Sequence, residues 1–325
     1  LDNGTVMNGK MIESPKSFQV ACTVMTQIIA AVASSQYGGQ SVDIRHLGKY
    51  LRKTYDKIYK KRFLGYIEKG YSKEEADERA KEDAIERRQE DLASGVQTIQ
   101  YQINTLMTTN GQSPFVTIFM YLDKDDEYIE ENAMIIEEIL KQRLQGIKNE
   151  KGVYITPAFP KLIYVLDEHN CLKGGKYDYL TKLAVKCSSK RLYPDYISAK
   201  IMRENYEGNV FSPMGCRSFL SPWKNEKGEY VFESRFNQGV VSINLPQIGI
   251  IANGDEEKFW KLFDERLDLC FDALMCRHNA LLGTVSDASP IHWQYGAIAR
   301  LEKGEKIDKL LNSYFSTISL GYIGI

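Results

Sequence analysis

Four β-rich runs, 115–122, 161–166, 239–245 and 314–325, are set far apart by stretches patterned for long helices. Strands so separated cannot be joined by tight hairpins; they need crossover connections, which make parallel pairs. The helical stretches are read from apolar spacing and end signals. The first covers about 22–36 and closes at Gly38-Gly39. The second covers about 43–69, with Ile44, Leu47, Leu51, Ile58 and Phe63 near one face and Arg45, Lys49, Arg52, Lys53, Lys57, Lys60, Lys61 and Arg62 on the other. Ser72 followed by Glu75 is a capping-box pattern, and from it a long helix is predicted to about residue 106 on Ile85, Leu92, Val96, Ile99, Ile103 and Leu106. Further helices are predicted over 129–147, 177–187 and 256–282, and Pro246 marks the exit from the third β-rich run. The result is an α/β chain with unusually long helices. The charged stretch 71–91 reads as a solvated helical face rather than a linker.

Composition narrows the function classes. Of 325 residues, 43% are hydrophobic and 26% charged, and the formal net charge is -1. That is a globular composition with no overall basic field, which argues against a nucleic-acid partner. No apolar run is long enough to span a bilayer. The six cysteines (Cys22, Cys171, Cys187, Cys216, Cys270, Cys276) show no C-x-x-C spacing and are too sparse for a disulfide scaffold. A reducing, cytoplasmic setting is expected. His46, His169, His278 and His292 have no metal-ligand spacing, and neither a G-x-G-x-x-G nor a P-loop motif is present. The opening Leu1-Asp2 leads us to expect a core piece of a larger protein.

Three segments carry more than composition: SPKSFQVACTVMTQIIAAVASSQYGGQS (14–41), SPMGCRSFLSPW (212–223) and SRFNQGVVSINLP (234–246). With QSPFVTI (112–118), FPKLIYVLDE (159–168) and STISLGYIGI (316–325), they run in one order along nearly the whole chain. In this the chain resembles the large subunit of the anaerobic, glycyl-radical ribonucleoside-triphosphate reductases. The resemblance implies a ten-stranded α/β barrel built of two parallel five-stranded halves, threaded by a finger loop. It places the thiyl-forming cysteine at Cys216, in a stretch where Pro213, Gly215 and Pro222 oppose both helix and strand. It makes Cys22 the second active-site cysteine; a place near a helix start would favour its thiolate. Asn237, in R-x-N-x-G-V-V, matches an active-site asparagine. Ser234 stands where the family usually has glycine, which we do not expect to disturb the site.

A thiyl radical can take the hydrogen at C3′ of a ribose because S–H and activated C–H bonds have similar strengths. Cys22 would then supply hydrogen as the 2′-hydroxyl leaves as water, with Asn237 holding the sugar. Ser218, two residues past Cys216, occurs where thioredoxin-using relatives carry glutamate; with Cys22 it points to formate as reductant. The resemblance further implies a homodimer, a radical-SAM activating enzyme, and ATP or deoxynucleotide effectors. The effector and dimer region would lie at about 22–107, with Asp43, His46, Lys49 and Lys53 as effector-site candidates. The family's N-terminal ATP-cone, its R-V-C-G-Y-type glycyl-radical motif and its C-terminal zinc site have no counterpart in 1–325. This stretch alone is therefore expected to be inactive. A nucleotide-binding or dimerisation module, or another glycyl-radical enzyme, are the alternative readings; Cys22 argues against the latter.

Overall fold

The computed structural model describes residues 1–36, 38–109, 111–215, 218–312 and 315–324. They divide into two compact units, Leu1–Phe219 and Leu220–Ile325.

The first unit opens with a hairpin of β1 (Thr5–Met7) and β2 (Lys10–Ile12). Helix α1 (Phe18–Ala33) buries Phe18, Ala21, Cys22, Met25 and Ile29, one helical stripe. Strand β3 (Gln40–Asp43) leads into α2 (Arg45–Glu68), which turns at Gly70 into α3 (Lys73–Thr105). The predicted capping box is present: Glu75 N donates to Ser72 Oγ and Ser72 N to Glu75 Oε2, both at 3.2 Å. Ala76, Ala80 and Ala84 are fully buried at a spacing of four, while Leu92, Val96, Ile99 and Ile103 continue the buried stripe. The stretch 71–91 is helix from Lys73 onward, without a break.

Next come β4 (Val116–Met120), α4 (Ile129–Gln145), a short hairpin of β5 (Ile147–Lys148) and β6 (Tyr154–Ile155), and β7 (Lys161–Leu166). Then follow α5 (Glu168–Cys171), α6 (Asp178–Arg191), β8 (Asp195–Ser198) and α7 (Ala199–Asn205). Strands β3, β4, β7 and β8 form one sheet in that order, every pair parallel. All five residues of β4 and the central four of β7 are buried, because both faces are covered. On one face Val116, Ile118, Met120, Leu162 and Tyr164 pack on α1–α4 and α6. On the other, Phe119, Tyr121, Ile163 and Val165 pack with Ala199.

The second unit contains β9 (Phe236–Asn244), α8 (Leu245–Ala252), α9 (Glu256–Leu281), α10 (Pro290–Trp293), α11 (Asp308–Asn312) and β10 (Ser316–Ile323). Strand β9 pairs in parallel with β10, and Ile243, Ile248 and Cys270 form the core where α8 and α9 meet the pair.

The parallel α/β class is as expected. A ten-stranded barrel is not shown: the described residues form a four-stranded and a two-stranded parallel sheet. A barrel needs every strand bonded on both sides, and each of these sheets keeps two edges. Two boundaries also shift. The helix predicted from 22 begins at Phe18, and the one predicted from 43 is preceded by strand β3, which was too short to show an alternating pattern.

Candidate active site

Cys216 and Arg217 lie outside the described residues; the loop on either side of them is defined. Met214 and Ser218 exchange backbone hydrogen bonds in both directions, Met214 N to Ser218 O at 2.7 Å and Ser218 N to Met214 O at 3.1 Å. This bridge brackets 215–217. The loop lies on the sheet face opposite α1–α4. Ser41 of β3 donates its Oγ to Pro213 O at 2.5 Å, and Thr117 of β4, paired with Ser41 across the sheet, donates to Gly215 O at 2.9 Å. Both anchors are side-chain hydroxyls on strands, and both acceptors are loop carbonyls that secondary structure leaves unpaired. Gly39 permits the approach: a Cβ there would lie 2.9 Å from Gly215 Cα and 2.4 Å from the Phe115 ring.

The base of the loop is held by aromatic packing. Tyr206, just past α7, meets Phe211 with ring centroids 4.9 Å apart, and Phe211 meets Phe219 at 5.8 Å. Ser41, Thr117 and Gly39 all fall within segments that carry the resemblance, but their roles depend on pairing across the sheet. Spacing along the chain does not show that. Ser218 is exposed, its backbone engaged by Met214.

Cys22 is placed differently from expectation. It is 0% exposed at the α1–α3 seam, where a Cβ on Gly95 would lie 3.1 Å from its Sγ and 2.6 Å from the Phe18 ring. Burial, reinforced by the Asp91 carboxylate, pushes the thiol well above the ordinary range. Both effects oppose a thiolate, and the second of them acts at the helix start. Ser17 makes no side-chain cap. Instead Phe18 N donates to Thr54 Oγ1 at 2.9 Å and Gln19 N to Asp91 at 3.3 Å, so a carboxylate from α3 already occupies the positive end of α1.

A thiol raised by folding contributes stability that is fully present below its unfolded value of 9.0 and is lost as pH rises toward the folded value. Thermal unfolding followed between pH 7 and pH 10 should thus show a shallower alkaline decline in Cys22→Ala than in the parent protein. Equal slopes would refute the assignment. Rapid alkylation of Cys22 in the native protein at neutral pH would refute it too.

In the second unit Asn237 sits at a β-bulge: the register passes from Asn237↔Thr317 to Val240↔Ser319, so β9 carries the extra residue. Its Oδ1 accepts from Gly239 N at 2.8 Å, and its amide donates to Ser319 Oγ. Both ends of the side chain are thus used by the scaffold. Ser234, two residues before the strand, has φ +55°. A left-handed backbone costs a non-glycine residue roughly 1 kcal/mol, a cost glycine would avoid.

The effector candidates start α2 but are not a free cationic set. Asp43 pairs with Arg45 at 2.6 Å, Lys49 pairs with Asp2, and Lys53 lies 4.9 Å over the Tyr50 ring. His46 is exposed. Along the same helix, Arg52 is taken by Glu131 and Arg62 by Asp83. A triphosphate would have to displace Asp2 to reach Lys49. Among the described residues, no group of three or more His, Cys, Asp or Glu could hold a metal ion, and no helix is long and apolar enough to cross a membrane.

The parallel α/β fold has counterparts among solved anaerobic ribonucleotide reductases. The chain is similar in fold to the anaerobic ribonucleotide reductase of Thermotoga maritima with citrate in the active site (TM-score 0.54, 13% identity, 98% of this chain and 50% of that one). It is likewise similar to the same enzyme in complex with dATP and CTP (TM-score 0.51, 14% identity, 84% and 42%). The sequence is decisive where that likeness shows fold alone. The family described as anaerobic ribonucleoside-triphosphate reductase matches residues 1–325, and the chain belongs to it. It is 41% identical to the anaerobic ribonucleoside-triphosphate reductase of Enterobacteria phage T4 over 335 aligned residues, covering 100% of this chain and 52% of that protein. It is 38% identical to the Escherichia coli protein of the same name, covering 100% and 44%. The chain thus spans about half the length of these relatives.

Proposed function

We propose that this chain forms part of the catalytic core of an enzyme that reduces ribonucleoside triphosphates to 2′-deoxyribonucleoside triphosphates by thiyl-radical chemistry. The observation that carries the reading is family membership across residues 1–325. The strapping of loop 211–219 to β3 and β4 supports it, because a hydrogen-abstracting sulfur must be held within a fraction of an ångström of its target.

Cys216 is the abstracting residue in this proposal. Its sulfur takes hydrogen from C3′: an S–H bond forms, the C–H bond breaks, and a carbon radical remains. The neighbouring 2′-hydroxyl, once protonated, leaves as water. The C2′ radical takes a hydrogen atom from the Cys22 thiol; the Cys22 sulfur radical takes hydrogen from formate, whose remaining electron returns to the sugar as carbon dioxide departs, and Cys216 returns hydrogen to C3′. The sum is ribonucleotide, formate and one proton converted to deoxynucleotide, carbon dioxide and water. Ser218 carries the formate assignment through its place two residues after Cys216. Asn237 orients the sugar only by exchanging one of its two scaffold hydrogen bonds for a sugar hydroxyl. Cys22 is the hydrogen donor in this proposal, and its burial and raised pKa keep its S–H intact.

The radical comes, in the family, from a glycyl site whose motif these residues lack, and a radical-SAM enzyme installs it; no step above depends on its geometry. Among the described residues no cluster fits zinc, and none of the steps uses it. The two parallel sheets are proposed as parts of the family barrel. The start of α2, with His46 and Lys53 exposed, is proposed as the region that answers to ATP or deoxynucleotides and to a second subunit.

The test uses the full-length parent, activated anaerobically by its radical-SAM partner and given a ribonucleoside triphosphate and labelled formate. Deoxynucleotide and labelled carbon dioxide are expected in equal amounts. Deoxynucleotide without labelled carbon dioxide would remove formate from the scheme. Activated protein that forms no deoxynucleotide would overturn the function.

A further inference from the structure

The loop that carries Cys216 is anchored at its tip by Ser41 and Thr117, but its base is held by something the reaction scheme does not use. Asp167 and Tyr121 immediately follow β7 and β4, at the C-terminal ends of the two central strands. Both are almost fully buried. Arg203, in the last turn of α7, donates to Asp167 through both terminal nitrogens, one at 3.1 Å, and to Tyr121 Oη at 3.1 Å. Asp167 is itself fixed: its Oδ1 accepts from Glu168 N at 2.8 Å, and its own N–H donates to Asn170 Oδ1 at 2.8 Å. A planar guanidinium held at three points has little freedom, and it transmits its position to the helix that bears it.

From α7 the path to the loop is short. Gly208 N donates to Arg203 O at 2.8 Å, closing the helix. Tyr206, the C-cap of α7, packs on Phe211 and Phe219, the two legs of the loop. Strand ends, guanidinium, helix end, aromatic clamp and loop legs therefore form one continuous packed chain within the first unit.

We propose that Arg203, held by Asp167 and Tyr121, is a positioning residue for the Cys216 loop, registering its base against β7 and against β4, the strand that also carries the Thr117 anchor. This deepens the reduction reading above and rests on it. The three side chains act through α7 and touch no substrate. Loss of the registration leaves the loop attached at its tip but free to tilt about it.

The experiment compares Arg203→Lys and Tyr121→Phe in the activated full-length parent, with Cys216→Ala as control. A misplacement on the order of 1 Å costs about 10²-fold, so kcat in Arg203→Lys should fall by about that factor while KM for the ribonucleoside triphosphate stays within about twofold. Tyr121→Phe removes one hydrogen bond and should lower kcat about tenfold. In both, hydrogen removal becomes the slower step, so the isotope effect with substrate deuterated at C3′ should rise above the parent's. A purely structural role would lower the unfolding temperature and leave that isotope effect unchanged. Parent-like kcat, or a fall in kcat with the parent's isotope effect, would overturn the proposal. If Arg203→Lys fails to fold, Tyr121→Phe alone decides it. Deoxynucleotide formation by Cys216→Ala would sink the underlying reduction reading. Inactive Cys216→Ala beside fully active Arg203→Lys and Tyr121→Phe would sink only the positioning role.

Discussion

Cys216→Ala in the activated full-length protein should abolish deoxynucleotide formation, with a residual rate at least about 10⁴-fold below the parent's, because no other side chain offers the abstracting atom. Serine should be equally inactive: an O–H bond is much stronger than S–H, so a serine side chain cannot enter a reversible exchange with a ribose C–H. The loop itself should survive either change. Its anchors run from Ser41 and Thr117 to the carbonyls of Pro213 and Gly215, and its legs are clamped by Tyr206. Unfolding temperature and nucleotide binding should therefore stay near those of the parent, which separates lost chemistry from lost structure. Appreciable deoxynucleotide from Cys216→Ala, measured by product chromatography, would end the thiyl assignment.

The largest expected loss of stability lies away from the loop. Arg143 of α4 is 2% exposed, and both its hydrogen bonds go to carbonyl oxygens, Pro157 O at 2.7 Å and Pro160 O. The Tyr193 ring lies 5.9 Å from its guanidinium carbon. Burial holds its pKa down at about 10, so it stays charged at neutral pH. Arg143→Ala leaves two buried carbonyls without a donor and opens a void, a cost of roughly 3–5 kcal/mol. Arg143→Met fills most of the volume and should cost about half as much, since only the hydrogen bonds are lost. Denaturant unfolding of the parent and both variants gives the comparison. A loss under about 1 kcal/mol for Arg143→Ala would show that water satisfies those carbonyls instead.

Neither Arg143 nor the loop anchors stood out in the sequence, and the reason is shared. What was legible was local. The span of α3 could be read from Ser72, Glu75 and a stripe of apolar residues, since capping and helical packing are short-range. The strand characters of β4 and β7 showed as near-continuous apolar runs. What was missed depends on distant partners. Position near a helix start is visible for Cys22, but its ionisation is governed first by burial in the α1–α3 seam and then by Asp91, whose contact with Gln19 spans 72 residues. Asn237 was picked out by pattern, whereas its bulge depends on the pairing with Ser319. Strand β3, only four residues long, exists because Gln40–Asp43 finds Val116–Phe119 alongside it. The barrel was an inference from kinship, and no count of β-rich runs could have tested it.

Because Ser41 and Thr117 grip main-chain oxygens, the strap is indifferent to which side chains the loop carries. Pro213 and Gly215 offer carbonyls that any residue would offer, and Ser218 contributes its backbone to the Met214 bridge while its hydroxyl is left to solvent. Position 218 can therefore change its side chain without touching the strap. On the proposed formate assignment, a single exchange there would change the electron source and leave both anchors in place.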